Sequence, residues 1–313
     1  MKNAVTKNKI MYCAIPTRMR DKAEEIRSIV RKMGYAPVIP FDVGPYEDFE
    51  GGTVGRERTL DFMMHVQRFC DTCGLFGISE GTLGEINYAQ KTGQEIKMFP
   101  SYDPEWDVFY DNLNKKYGDP FANLRGPHRL FAMVGPSAVG KTFHIENLLK
   151  QFSKKLRRIK NTTTRKPRDN SDKESYQFVS KEDFEKKIKE GQFLEYDNYL
   201  GEYYGSSLAN IQAVLNTTSG IFAITPSGAR ALHDHRYEIN LSIILLRPES
   251  DDMLRKNLLR RGVNDSRRQD ELIEKAAEFR LPEDIRHTVV TVTGENDEDE
   301  KRILKVLEPH FLS

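Results

Sequence analysis

Apolar and polar positions along this chain alternate between two spacings. Lys9–Cys13 is a short apolar run, and from Lys22 to Met33 the residues Ala23, Ile26, Ile29 and Val30 repeat at helical spacing. Ala36–Ile39 forms a second run, closed by Pro40. Phe41–Gly55, rich in glycine, acidic and aromatic residues, reads as a long functional loop. A helix over Arg56–Phe69, a strand over Gly74–Ile78, a helix over Leu83–Lys91 and a strand over Glu95–Phe99 continue the alternation. Such a βαβ succession predicts a parallel sheet that binds ligands at the carboxyl ends of its strands. From Asp111 to Pro127 both periodicities break around Gly118-Asp119-Pro120 and Gly126-Pro127, and this stretch is read as the joint. The expected division is one α/β domain over residues 1–118, a linker over 119–127 and a second α/β domain over 128–313. The second opens on the apolar run Leu130–Val134 and a helix through Ile145, Leu148 and Leu149. No internal repeat or low-complexity tract interrupts the pattern, and the acidic run Glu295–Glu300 is expected to be a solvated turn.

Composition narrows the class. With 313 residues, 38% hydrophobic and 30% charged, the chain has length for two cores and the make-up of a globular protein. A net charge of +1 gives no global attraction to nucleic acid or membrane. No apolar run approaches the roughly 18 residues of a membrane span, and no signal-peptide core is read, so a cytoplasmic location is expected. Three cysteines cannot build a disulfide framework, and Cys70 and Cys73 are read as packing residues.

The residues Gly135-Pro136-Ser137-Ala138-Val139-Gly140-Lys141-Thr142 carry the most specific chemistry. Placed between a strand and a helix, a GxxxxGK[ST] run curls backbone N–H groups around phosphate oxygens at a positive helix terminus. Gly135, Ser137, Ala138, Val139 and Gly140 are therefore expected to cradle the phosphates of a nucleoside triphosphate. Lys141 would reach the β- and γ-phosphates, and Thr142 would hold Mg²⁺.

After this loop come Asn161-Thr162-Thr163-Thr164-Arg165-Lys166-Pro167-Arg168, Tyr176–Ser180, Gly191–Tyr196 and Gly201–Ser206. In this order the series resembles guanylate kinases over nearly all of residues 128–313. The resemblance implies a P-loop nucleoside monophosphate kinase domain that uses ATP and Mg²⁺. It implies that Arg165 and Arg168, with the hydroxyls of Tyr176 and Tyr204, bind the acceptor phosphate; guanidinium forks suit that task. It further implies that Glu195 and Ser206 meet the base, and that an arginine among Arg255, Arg260, Arg261, Arg267 and Arg268 closes over ATP. Arg261, followed by Gly262, and Arg268 match best as catalytic groups. Three positions depart from the family. The segment Asp169–Glu174 lacks an in-register Gly-Glu step, Thr225 replaces an aspartate near base and metal, and Asn161 stands where a serine meets the base. Retained phosphate machinery with altered recognition groups predicts an acceptor other than ordinary GMP.

The N-terminal residues Ile10–Pro16 and Cys70–Ala89, with Ser79-Glu80-Gly81-Thr82-Leu83-Gly84-Glu85, resemble nucleoside 2-deoxyribosyltransferases and related deoxynucleotide hydrolases over residues 9–100. A Rossmann-like parallel-sheet fold is implied. Glu85 would be the nucleophile at C1′ or would stabilise charge on the sugar, and Tyr12 would orient it. Asp71 would have a sugar-binding or acid role. Ser79 and Gly81 at the helix start, or Arg18 and Arg20, would contact phosphate. Tyr46, Phe49 and Gly51-Gly52 could fold over a base. The residues alone also allow Glu85 to act only as a helix-capping acid.

The expected whole is a bifunctional enzyme of nucleotide metabolism whose ligands are small nucleotides (ATP and a monophosphate), suited to an unusual DNA precursor in a virus. A (d)GMP kinase with a non-catalytic N-terminal domain and a non-enzymatic nucleotide sensor stay open. Deoxyribosyltransferases often build sites across subunits, so the resemblance allows a homo-oligomer.

Overall fold

The computed structural model describes residues 9–44, 48–49, 51–167, 172–199 and 201–311. The chain divides into two compact units, Met1–Asn123 and Leu124–Ser313.

In the first unit β1 (Lys9–Ala14) leads through α1 (Ala23–Lys32) to β2 (Tyr35–Val38), and the short α2 (Pro40–Val43) follows. Next come α3 (Arg56–Gln67), β3 (Thr72–Leu75), α4 (Glu80–Thr92), β4 (Glu95–Met98) and α5 (Trp106–Tyr117). The four strands form a parallel sheet in the order β2-β1-β3-β4. The strand order reverses between β1 and β3, which places a crevice beyond Ala14 and Leu75. One face of this sheet is built on Met11, Cys13, Ile26, Val30, Ile39 and Phe76. Cys13, Cys70 and Cys73 are free and buried. Burial pushes the thiols of Cys13 and Cys70 up to about 12 and about 11, so both are inert packing groups.

Where a joint was expected from Asp111, the structure continues a helix to Tyr117. Trp106, Tyr110 and Leu113 recur at i, i+4 and i+7 and are all buried, so one apolar stripe overrides the polar composition. Gly118, at φ +85°, ends the helix. Phe121 is fully buried and stacks with Trp106 and Tyr110 at centroid distances of 6.2 and 5.7 Å. Residue 121 therefore belongs to the first core, and the division falls at 123/124 rather than within a free linker.

The second unit begins with β5 (Arg129–Val134) and α6 (Lys141–Gln151), then β6 (Leu156–Arg158) and β7 (Asn161–Thr163). The short α7 (Asp172–Ser175), β8 (Tyr176–Phe178), α8 (Lys181–Lys189), β9 (Phe193–Tyr199), β10 (Glu202–Ser207) and α9 (Leu208–Leu215) follow. The chain then runs through β11 (Ser219–Ala223), α10 (Pro226–Asp234), β12 (Asn240–Pro248), α11 (Asp251–Arg260), α12 (Ser266–Ala277), β13 (Thr288–Val292) and α13 (Asn296–Leu307). A five-stranded parallel sheet, β13-β12-β5-β11-β6, is flanked by apolar clusters containing Phe131, Met133 and Ile145 in one case and Leu130, Phe222 and Leu245 in the other. Both faces are covered, which is why Leu130–Val134 is apolar throughout. A second sheet, β8-β7-β10-β9, pairs β10 antiparallel with both β7 and β9. The β9–β10 hairpin is held by Phe184, which stacks on Phe193 at 4.4 Å and on Tyr203 at 5.1 Å.

The acidic run Glu295–Glu300 is not a solvated turn but opens α13. Asp299 is 1% exposed and accepts from the backbone N–H groups of Thr293 and Gly294 at 2.8 and 2.9 Å. Acidic side chains favour the positive end of a helix, and here one of them ties it to the end of β13. Among the described residues no helix is long and apolar enough to cross a membrane.

Candidate active sites

The glycine loop leaves the central strand of the five-stranded sheet, β5, and ends at α6. Gly140, the N-cap of α6, has φ +103° and provides no side-chain cap, so the first N–H groups of that helix stay open to a ligand. Gly135 is required by crowding: a Cβ there would lie 2.8 Å from the Leu246 carbonyl oxygen. Ala138 adopts φ +64°, uncommon for a residue with a side chain, and its carbonyl accepts from Asn257 Nδ2 at 3.0 Å. Val139 and Ala138 are buried in the core, which anchors the curl of the loop.

Lys141 Nζ donates to the carbonyls of Gly135 and Pro136 at 2.7 and 2.8 Å. Burial, with Arg261 as a second cause, pushes its ammonium down to about 7. A half-buried ammonium held by loop carbonyls, at the end of a helix whose first N–H groups are uncapped, fits a polyphosphate, which would supply the missing negative charge. Thr142, the second residue of α6, is exposed at the same end and fits a Mg²⁺ ligand. Among the described residues no group of three His, Cys, Asp or Glu side chains could hold a metal, and Mg²⁺ needs none when phosphate and water complete its shell. The depressed ammonium gives a signed pH dependence. Binding of a triphosphate requires charged Lys141, so the dissociation constant for ATP should rise by up to about tenfold per unit as pH increases above 7. Calorimetry at pH 7 in buffers of different ionisation enthalpy should register uptake of roughly half a proton.

Of the two arginines expected to close over ATP, Arg261 adds positive charge that helps to push the Lys141 ammonium down. Arg268 is instead held at 2.7 Å by Glu271 on its own helix, and its backbone N–H is capped by Asp265. The local i,i+3 partner makes Arg268 a helix-surface ion pair here. Arg255 bridges to Asp270 at 2.8 Å and to Gln269 at 3.2 Å, joining α11 to α12.

The acceptor side lies on the second sheet. Arg165 is 9% exposed and its fork engages Asp172, with Nη1–Oδ2 at 2.7 Å and Nη2–Oδ1 at 3.1 Å. Its guanidinium lies 4.8 Å from the Tyr176 ring centroid, and Tyr176 meets Tyr204 edge-on at 6.2 Å. Arg165 Nε is buried with no partner among the described residues, an orphan donor that an acceptor phosphate could satisfy. Arg168 lies outside the described residues, as do Asp169–Ser171 and Tyr46.

Glu195, Ser206 and Asn161 meet at one place. The Ser206 hydroxyl is 2.5 Å from Glu195 Oε1 and 3.2 Å from Asn161 Oδ1, while Asn161 Nδ2 donates to the Ala223 carbonyl at 2.7 Å. Burial is the main reason that the Glu195 carboxyl is pushed up, and nearby Asp197 adds to it. Gly228 lets Glu195 pack closely on α10: a Cβ there would lie 2.9 Å from Glu195 Cδ, and the carboxylate would have to shift. Thr225 caps α10 through the Gly228 N–H at 3.1 Å. Asp197 and Ser227 also reach this place. Reading β9 at period two would have paired Asp197 with Glu195, whereas no sequence signal marks Ser227 or Asn257.

A family model described as guanylate kinase matches residues 127–309. The chain belongs to the guanylate kinase family. The guanylate kinase of Mycoplasmoides gallisepticum is 31% identical over 184 residues, covering 56% of this chain and 87% of that protein. That of Latilactobacillus sakei is 32% identical over 189 residues, covering 58% and 90%. A crystal structure of guanylate kinase from Anaplasma phagocytophilum aligns with a TM-score of 0.41 and 20% identity, over 59% of this chain and 87% of that one. The family match begins at residue 127, within the second unit.

In the first unit a cavity of about 80 Å³ opens beyond the carboxyl ends of β1 and β3, with Thr17, Arg56, Ser79, Gly81, Thr82 and Glu85 in its lining. Tyr12, fully buried in β1, donates to Glu85 Oε1 at 2.6 Å. Burial and then Glu85 push the Tyr12 hydroxyl well above its ordinary range, so it remains a donor. Glu85 is 9% exposed and lies in the second turn of α4. It does not cap the helix: Ser79 accepts from Thr82 N at 3.1 Å and Thr82 Oγ1 accepts from Ser79 N at 2.8 Å.

Asp71 belongs to neither cavity nor crevice. Its carboxylate accepts from Ile10 N at 2.7 Å at the amino end of the parallel sheet, opposite Glu85, so its role is to cap strand β1. Arg18 is likewise structural: it is paired with Asp103 and Glu105, donates to the Ile78 carbonyl at 2.9 Å and lies 3.6 Å from the Phe109 ring centroid. Arg56 and Thr17 line the cavity without having been singled out in the sequence, since neither sits in a recognisable motif.

Proposed function

We propose that the chain is an ATP- and Mg²⁺-dependent nucleoside monophosphate kinase that acts on a purine monophosphate other than ordinary GMP. Its first unit, in this reading, makes or breaks the N-glycosidic bond of a related deoxynucleotide. The kinase half rests above all on one observation, the Lys141 ammonium held by the glycine-loop carbonyls beside the uncapped N-terminus of α6. Phosphoryl transfer is mainly positioning and charge stabilisation. Lys141, once protonated by triphosphate binding, and Arg261 and Arg165 supply positive charge on the donor and acceptor sides. Mg²⁺, when bound through Thr142 and the phosphates, neutralises the charge developing on the transferred group. The altered acceptor rests on Asn161 and Thr225: the Asn161 amide is partly spent on Ala223, and Thr225 caps a helix. The base-release half rests on the buried Tyr12–Glu85 pair in its cavity.

A plain (d)GMP kinase with a regulatory first unit is the second reading, favoured by relatives named guanylate kinase at 31–32% identity. Incubating the protein with ATP, Mg²⁺ and a panel of ribo- and deoxymonophosphates, and resolving diphosphates and free bases, separates the two. The first reading expects GMP to be outrun by another purine monophosphate, and free base to appear. Efficient turnover of GMP alone, without base release, would select the second.

A further inference from the structure

The glycine loop hangs from β5 in the five-stranded sheet, whereas Tyr176 opens β8 and Arg165 follows β7 in the smaller sheet. Donor and acceptor phosphates would therefore be gripped by different sheets, and transfer requires the two grips to be in line. A misplacement of about 1 Å can cost about 10²-fold in rate. The chain passes from one sheet to the other between β6 and β7, and Arg158 is the last residue of β6.

The Arg158 side chain is 13% exposed. Its Nη1 donates to Ser175 Oγ at 2.8 Å, and its Nη2 lies 3.8 Å from Glu146 Oε1 on α6. One guanidinium thus joins the helix that begins at Lys141 to the residue just before Tyr176. Burial holds this group below the ordinary range for arginine, while Glu146, Glu174 and Tyr176 are near enough to act in the opposite sense. The single turn of α7 is too short to hold itself. It is gripped by Arg165 at Asp172, by Lys160 at the Lys173 carbonyl and by Arg158 at Ser175. The last of these grips extends to α6. An ion pair with an exposed acid adds little stability, so the consequence of the bridge is geometric.

We infer that Arg158 is a positioning residue for phosphoryl transfer: it fixes Tyr176, and through it the acceptor phosphate, relative to the helix that carries the donor site. This deepens the kinase reading and rests on it for the role of Tyr176. A planar guanidinium holds two partners at a set separation, which an ammonium on a flexible stem does not. Positive charge beside the Tyr176 hydroxyl also strengthens that hydroxyl as a donor.

The test uses the full chain. Calorimetry compares guanosine 5′-monophosphate with guanosine, and diphosphate formation from the same monophosphate is followed with ATP and Mg²⁺. The phosphate is the group at issue, whatever base the site prefers. Arg158→Met should lower the preference for monophosphate over nucleoside by about tenfold. It should lower kcat by about 10- to 100-fold, with ATP binding and the melting temperature little changed. Arg158→Lys should restore part of the preference but little of kcat. Ser175→Ala cuts one arm and leaves the guanidinium in place, so it should lower kcat in the same direction by less. In a Tyr176→Phe background Arg158→Met should lose most of its effect on the preference, because the hydroxyl through which it acts is gone. An undiminished effect in that background, full activity of Arg158→Met, or a wild type that binds the monophosphate no better than guanosine overturns the inference. If wild type forms no diphosphate while the preference depends on Arg158 through Tyr176, the kinase reading fails and the positioning role stands. Normal wild-type turnover that Arg158→Met leaves untouched has the reverse meaning.

Discussion

Replacing Lys141 by methionine is expected to lower kcat for phosphoryl transfer about 10³-fold while leaving the melting temperature unchanged or raised. The two effects have one origin. Among the described residues the half-buried ammonium has the carbonyls of Gly135 and Pro136 as partners, and the nearby charge of Arg261 disfavours its charged form. Methionine has a similar length and no charge to desolvate, so the folded state loses little by the exchange. The transition state loses the group that neutralises charge on the β- and γ-phosphates, and nothing else in the loop can move into its place. Arg261 is exposed beyond the end of α11, and its partner contribution should remain: Arg261→Ala in the Lys141→Met background should cost less than in wild type, because the two act on the same charge. A coupled assay of diphosphate formation with a melting curve on the same samples checks both halves. A variant that melts early, or one that turns over normally, would show that the loop folds around Lys141 for its own sake.

The parts of this site that were legible in the sequence are those set by local backbone chemistry. A strand, a glycine turn and a helix are contiguous, so Gly135 to Thr142 could be placed together without knowing the rest of the fold. The Tyr12–Glu85 pair was legible only through the resemblance to nucleoside 2-deoxyribosyltransferases; the βαβ order by itself placed Glu85 at the carboxyl end of a strand and did not single out Tyr12 as its partner. Asp71 misled because sequence distance says nothing about which end of a strand a residue occupies; it precedes β3 and so sits at the wrong end. Residues 111–117 misled because polar composition hid the buried stripe of Trp106, Tyr110 and Leu113. Glu295–Glu300 misled because acidity is as typical of a helix start as of a solvated turn. Asp197 and Ser227 meet only through tertiary packing of β9 against α10, a contact no local pattern encodes.

Changing Glu85 to glutamine is the decisive prediction for the first unit: release of free base from a deoxynucleoside monophosphate should fall about 10³-fold or more, with diphosphate formation unaltered. Glutamine preserves the volume of the side chain and an oxygen to accept the Tyr12 hydroxyl, so the packing of α4 against β1 should survive. What disappears is the negative charge beside the scissile bond, and with it both the nucleophile and the stabilisation of positive charge on the sugar. Removing a largely buried carboxylate should also raise the melting temperature, the usual sign that a site holds a costly group for function. Tyr12→Phe should act more gently, by about tenfold, because it deletes one orienting hydrogen bond and leaves the charge in place. The ordering of the two variants carries the argument. If Glu85 served only to pack the helix, glutamine would be silent and Tyr12→Phe, which empties a buried donor position, would be the more damaging change in both stability and base release. If wild type releases no base from any deoxynucleotide, yet binds one with an affinity that Glu85→Gln abolishes, the crevice is a nucleotide-binding site without chemistry, and the first unit regulates the kinase rather than sharing its pathway.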